Sequence, residues 1–216
     1  MLFTVLAWQV ASGGPLCALD ERLGRTLVHS AMPASLAEFF ADLGNTVVAL
    51  PVLALAALHA AWRGRRAAAP RWWLAPLAAV LTMAVVPALV VPLKVWLARP
   101  GPPEMAGGAH TGFFPSGHAA TAAVAYGSVA LLLTALREHP RSPMPAAVAV
   151  IGVGLLNLAV GIGLVRRGYH WPLDVLASWC LAGVLLTVCT AVCGRWAAHP
   201  HQPDSQLATS NSSDAM

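Results

Sequence analysis

The sequence predicts an all-α, polytopic membrane helix bundle of about six transmembrane helices, and three observations carry that reading. Of 216 residues, 57% are hydrophobic and only 10% are charged, far from the balance of a water-soluble domain of this length. Five stretches, about 45–62, 72–97, 117–136, 146–165 and 172–194, are apolar over close to the ~20 residues that carry a helix across a bilayer. Arginines then sort to alternate connections, as membrane topology requires.

Taken in order, residues 1 to about 19 form a weaker sixth segment, interrupted by Gln9 and by Ser12, Gly13, Gly14 and Pro15. It lacks the basic start of a signal peptide and reads as a first helix or a shortened start. Residues 20 to 44 mix charges with Leu23, Leu27, Phe39 and Phe40, a pattern expected to lie along the outer surface as short amphipathic helices. The five long spans follow. After Arg195 the apolar content falls away in HPHQPDSQLATSNSSDAM, and residues 195–216 are expected to be a disordered cytoplasmic tail. Residues 1–194 read as one membrane domain, with the motif-bearing core at about 45–194.

Orientation follows from the arginines. Arg63, Arg65, Arg66 and Arg71 lie between the second and third spans, Arg137 and Arg141 between the fourth and fifth, and Arg195 follows the sixth, so these connections are expected on the cytoplasmic side. The opposite connections hold Asp20, Glu21, Glu38, Asp42 and Glu104. Trp62, Trp72 and Trp73 mark an inner interface; Trp96, Tyr169 and Trp171 are expected at the outer one. The formal charge of +4 is almost wholly arginine, Lys94 being the sole lysine. No basic run with interleaved aromatics stands apart from the loops, which argues against nucleic acid as a partner. The Ala- and Arg-rich, Lys-poor composition is that expected from a GC-rich bacterial genome.

Several patterns are better read as packing. Cys180, Cys189 and Cys193 lie in the last apolar segment and Cys17 stands alone, without the fuller donor cluster of a metal site or a disulfide framework. Gly152, Gly154, Gly161 and Gly163 have no preceding strand and suggest close helix packing rather than a nucleotide loop. Asn211-Ser212-Ser213 matches a glycosylation acceptor, but on a tail facing the wrong way.

The chemistry concentrates at the outward ends of the spans. In PSGH, Ser116 precedes an apolar helical run and is a natural N-cap. The amides of Gly117, His118 and the next residue then lack helical acceptors, and such a helix start binds phosphate through free N–H groups and the helix dipole. In HWPLD, Pro172 fits a first helical turn, with His170 just before it and Asp174 just inside. A carboxylate at that spacing can accept one imidazole N–H and leave the other nitrogen as a nucleophilic lone pair. The same residues, with His118, could instead ligate zinc. Lys94 can snorkel to the outer interface, and Arg99 follows in KVWLARPGPP. Together they describe a site for transfer of an anionic group.

The order Lys-x4-Arg-Pro, Pro-Ser-Gly-His and His-x3-Asp resembles the type 2 phosphatidic acid phosphatase (PAP2) family, membrane relatives of the vanadium haloperoxidases, over about 45–194. The resemblance implies a PAP2/haloperoxidase-like core and a lipid phosphatase with no metal and no cofactor. His170 would form a phosphohistidine, Asp174 would orient it, and His118 would protonate the leaving oxygen. Lys94, Arg99, Ser116 and Gly117 would hold the phosphoryl oxygens. Two departures stand out: the family's first motif is usually Lys-x6-Arg-Pro, which puts an arginine where this chain has Gly101, and its third usually carries Ser-Arg where this chain has Gly163 and Leu164. Arg166 or Arg167 would have to supply the missing charge.

The expected partners are membrane lipids and a lipid phosphate substrate, such as polyprenyl diphosphate, phosphatidic acid, phosphatidylglycerol phosphate or lipid A phosphate, met at the extracytoplasmic face of the cell membrane. A catalytically weak or inactive lipid-phosphate binder or transporter of the same fold is the alternative. The sequence does not fix an oligomeric state.

Overall fold

The computed structural model describes residues 1–103, 111–135 and 144–198; Glu104, Arg137, Arg141 and residues 199–216 of the tail expected to be disordered lie outside them, while residues 195–198 of that tail are instead the last turn of the final helix. Eight helices follow in order: α1 (Leu2–Ala11), α2 (Pro15–Val28), α3 (Ala34–Asp42), α4 (Thr46–Arg66), α5 (Leu74–Leu97), α6 (Gly117–Ala135), α7 (Met144–Arg166) and α8 (Pro172–Ala198). The last five are each long and apolar enough to cross a membrane, and the number rises to six if α1 and α2 count as one broken span.

The weak first segment is where expectation and structure part. It is two helices bent by 90°, because Gly13 takes a left-handed conformation (φ +60°) and Pro15 opens the next helix. A helix of 10 residues is ~15 Å long, about half a hydrocarbon core. The amphipathic segment accordingly begins at Pro15 rather than at Asp20, and α2 and α3 lie against the ends of α7 and α8.

Helix α6 is the axis of the bundle, with 61% of its spanning window buried against 28–33% for the other four spans. Its sequence explains this: Ala119, Ala120, Ala122, Ala123 and Ala125 are small and buried, and small side chains let neighbouring helices approach closely within a bilayer. Of the four glycines of α7, Gly161 sits under Trp179 of α8 and Gly163 under the backbone of α3, whereas Gly152 and Gly154 face open space. Close packing thus accounts for only one end of that helix. Outward faces of α5, α7 and α8 expose Val80, Leu81, Val95, Val150, Ile151, Leu155, Val184 and Val188, an apolar surface suited to lipid and not to water.

Lys94 lies in the last turn of α5, Gly117 begins α6 and Pro172 begins α8, so the motifs gather at one end of the bundle, opposite Arg63, Arg65 and Arg66 in the last turn of α4 and Arg71 after it. Trp62, Trp72 and Trp73 are exposed near those arginines, and Trp96 is 75% exposed at the other end. Trp171 departs from the exposed interfacial place expected of it, whereas Tyr169 stays partly exposed. Trp171 is buried and donates its indole N–H to the Pro100 carbonyl at 3.1 Å, and the Tyr169 hydroxyl donates to Glu38 of α3 at 2.9 Å.

Candidate active site

Helix α6 starts as its sequence requires. The Ser116 hydroxyl oxygen accepts the Ala119 amide at 3.2 Å, which is N-cap geometry, and Ser178 of α8 donates to the Ser116 carbonyl at 2.8 Å. With Ala119 capped and Ala120 bonded to Ser116, the Gly117 and His118 amides are left without an acceptor among the described residues. Gly117 has nothing within 4 Å of where a Cβ would stand, so the backbone is open to a ligand. The His118 side chain is exposed beside it. Ser116 itself is fully buried; its contribution is to aim the amides.

At the start of α8, His170 is buried and its Nδ1 lies 3.3 Å from Asp174 Oδ2. That oxygen also accepts the Trp171 amide at 3.0 Å. With Nδ1–H on the carboxylate, Nε2 keeps its lone pair. The Phe113 ring meets the imidazole edge-on at 5.7 Å, fixing its plane. The Ser116 amide donates to the Asp174 carbonyl at 3.1 Å, which ties the starts of α6 and α8 together.

The arginines are placed differently from expectation. Ala98, in the left-handed region at φ +43°, ends α5, and Arg99 turns into the protein, with Nη1 2.6 Å from Asp174 Oδ1 and Nη2 2.5 Å from Asp20 Oδ2. Burial works against the Arg99 charge, but the two carboxylates outweigh it and hold the guanidinium still more firmly ionised. Arg99 therefore engages carboxylates where a phosphate contact was expected. Arg166 donates to the Met32 carbonyl at 3.0 Å, and Arg167 pairs with Glu38. Both face the α3 region, where their partners already occupy them, so neither is positioned as a substitute for the family arginine. Lys94, half-buried, has no carboxylate partner among the described residues and is left as the available cation.

Packing explains the two missing arginines. A Cβ on Gly101 would stand 2.5 Å from the Phe113 ring. A Cβ on Gly163 would stand 2.6 Å from the Ala37 carbonyl oxygen and 2.8 Å from the Ala41 nitrogen, and Leu164 is completely buried. Phe113 and α3 fill the space that side chains at 101 and 163 would need, and Leu164 is itself part of the buried core.

Sequence reasoning missed Asp20, which is 2% exposed. Besides Arg99, it accepts the Leu173 amide at 2.7 Å, at the positive end of α8. The available signal was its spacing to Gly24, four residues on and so on the same helical face. A Cβ on Gly24 would stand 2.8 Å from the Trp171 ring; glycine lets α2 close onto the start of α8.

Lys94, Gly117 and His118 stand together at one cleft of about 760 Å³ between α4, α5 and α6. Asn45 and Thr46 share its polar end. The remainder is apolar, lined by Leu50, Leu53, Val80, Met83, Val86 and Val90 among others. From Val80 to Lys94 it follows α5 for ~21 Å, at 1.5 Å per residue. Among the described residues no three His, Cys, Asp or Glu side chains form a metal-ligating group, so the zinc alternative built on His118, His170 and Asp174 finds no donor set.

The PAP2 superfamily model matches residues 75–197, more than half of the chain. The fold is similar to the crystal structure of the first transmembrane PAP2 type phosphatidylglycerolphosphate phosphatase from Bacillus subtilis, with TM-score 0.74 and 21% identity over 89% of this chain and 94% of that one. It is also similar to Aquifex aeolicus LpxE, with TM-score 0.56 and 20% identity over 79% of this chain and 93% of that one. Curated protein sequences yield no match.

Proposed function

The chain belongs to the PAP2 superfamily, and on that premise we propose that it is a membrane lipid phosphatase hydrolysing a phosphomonoester or pyrophosphate of a lipid through a phosphohistidine, at the extracytoplasmic face. The observation that carries this is the buried His170–Asp174 pair at the same end of the bundle as a free helix start, His118 and Lys94, from which an apolar groove descends. Phosphatidic acid, phosphatidylglycerol phosphate and polyprenyl diphosphate all combine an anionic head with an apolar tail. Such a groove takes the tail while the head stays at the helix start.

The chemistry divides into two displacements. His170 Nε2 attacks phosphorus and the P–O bond to the lipid breaks, the leaving oxygen taking a proton from His118. Water then attacks phosphorus, gives a proton to His118 and breaks the P–N bond, releasing inorganic phosphate. Asp174 holds the reactive tautomer and balances the charge that develops on His170. Lys94 and the Gly117 and His118 amides meet the charge spreading over the phosphoryl oxygens. Residues 1–194 act as one membrane domain, with 195–216 a cytoplasmic tail.

Phosphate release by the purified protein from a panel of these lipids, measured in EDTA, tests the reading. Turnover should survive the chelator and disappear in His170→Ala. Full activity in His170→Ala would reject the mechanism, and activity removed by EDTA would return the zinc alternative. The placement of Arg99, Arg166 and Arg167 on protein partners favours one second reading, a lipid-phosphate binder without turnover. Tight phospholipid binding with no released phosphate would select it.

A further inference from the structure

We propose that Asp20 is a positioning residue: with Arg99 it forms a buried clamp through which α2 sets the orientation and charge of the His170–Asp174 pair, so that Arg99 acts on Asp174 and not on the phosphate. The inference rests on the phosphatase reading above for what His170 does, but the clamp is a matter of geometry. Asp174 divides its oxygens, Oδ2 to His170 and Trp171, Oδ1 to Arg99. Arg99 divides its terminal nitrogens between Asp174 and Asp20. Asp20 closes the circuit by accepting the Leu173 amide, one residue before Asp174. All four side chains are buried, where hydrogen-bonded charges hold fixed geometry and an unpaired one is strongly unfavourable. Glycine at position 24 permits the approach, and Arg99 lies over the Trp171 ring with its Cζ 5.8 Å from the centroid. Helix α2 thereby becomes part of the site although it lies outside residues 75–197.

The charged groups around the His170–Asp174 pair give the sign of the effect. Asp174 comes from α8, Arg99 from the α5–α6 connection, Asp20 from α2, Lys94 from α5 and His118 from α6. His118 in turn meets the charges of Lys94, His170 and Asp42 of α3, and Arg166 and Arg167 at the end of α7 turn toward the α3 region. Asp20, Arg99 and Asp174 together carry one net negative charge beside the imidazole. Asp20→Asn removes that charge and keeps an acceptor for the Leu173 amide. Losing one negative charge there shifts the acid limb of activity to lower pH, and the grip of Asp174 on the imidazole loosens.

The test uses the full chain in lipid nanodiscs, with phosphatidic acid, phosphatidylglycerol phosphate and polyprenyl diphosphate as probes. Asp20→Asn should lower kcat about tenfold or more, leave KM within about twofold, and move the acid limb of the pH profile down by about half a unit or more. Asp20→Glu, which restores the charge, should return that limb toward wild type, and it decides the matter if the Asn variant does not fold. An unchanged pH profile and kcat, or a rise in KM alone, would overturn the clamp and return Arg99 to the phosphate. If wild type turns over none of the probes, the phosphatase reading fails separately. The clamp is then read from the NMR titration of His170, which Asp20→Asn must displace.

Discussion

Restoring the family's third motif, by Gly163→Ser with Leu164→Arg, should damage this protein rather than improve it. The reason is α3. A serine Cβ at 163 would stand 2.6 Å from the Ala37 carbonyl oxygen and 2.8 Å from the Ala41 nitrogen, both backbone atoms that yield only if the helix shifts. Overpacking of this kind costs about 1–3 kcal/mol. Leu164 is completely buried, and losing its burial costs a further ~1.5–3 kcal/mol; an arginine there also meets Val160 and Val165 where it needs acceptors. The total of about 2.5–6 kcal/mol corresponds to a fall in Tm of at least about 5 °C for a chain of this size. Thermal unfolding of the purified double variant in detergent measures it, with phosphate release followed in parallel. A variant as stable as wild type and several-fold more active would refute the argument, because the space for the arginine would then exist and the substitution would be an ordinary loss of a phosphate contact.

Other expectations concern the site directly. Asp174→Asn should reduce kcat at least about a hundredfold with the chain still folded, as steady-state kinetics alongside Tm will report. His118→Ala should cost about 10²–10⁴ in kcat on a lipid phosphate and much less on an aryl phosphate, whose leaving oxygen departs without a proton; equal losses on both would remove His118 from the leaving-group role. Lys94→Gln should lower kcat/KM by about 10–150-fold, the equivalent of a charge-assisted contact of about 1.5–3 kcal/mol. Val86→Trp, filling the groove below the helix start, should suppress hydrolysis of long-chain lipid phosphates and spare a short-chain soluble one. Parallel losses on both would argue that the groove does not hold the tail.

What could be read from the chain was what a local rule governs. The five spans matched their helices to within a few residues because hydrocarbon thickness fixes their length. Ser116 was recognisable as a cap and His170 with Asp174 as a pair because both relations are settled within four residues of sequence. The arginines were misjudged for the opposite reason. Arg99 finds Asp174 75 positions away and Asp20 79 positions away, and Arg167 finds Glu38 129 positions away. Nothing local distinguishes a cation that meets substrate from one that meets a buried carboxylate.

Asp20 shows how such a partner could have been suspected. A carboxylate on the apolar side of a short amphipathic helix needs a cation or an amide to be stable there, and its match had to come from the same end of the bundle. Besides Lys94, the cations at that end were Arg99, Arg166, Arg167 and, on α2 itself, Arg22 and Arg25, the last paired with Glu21 four residues before it. Glu38 and Asp42 on α3 were the competing acids, and α3 packs on α7, which draws Arg167 toward Glu38 and leaves Arg99 for Asp20. The sole lysine then remains without a carboxylate among the described residues. The allocation of acids among cations, in addition to the motif spacing, is what supports Lys94 as the proposed phosphate-binding side chain. A chain that loses Glu38 should therefore free Arg167 without bringing it to the site, because the Tyr169 ring beneath the guanidinium still holds it on the α3 side.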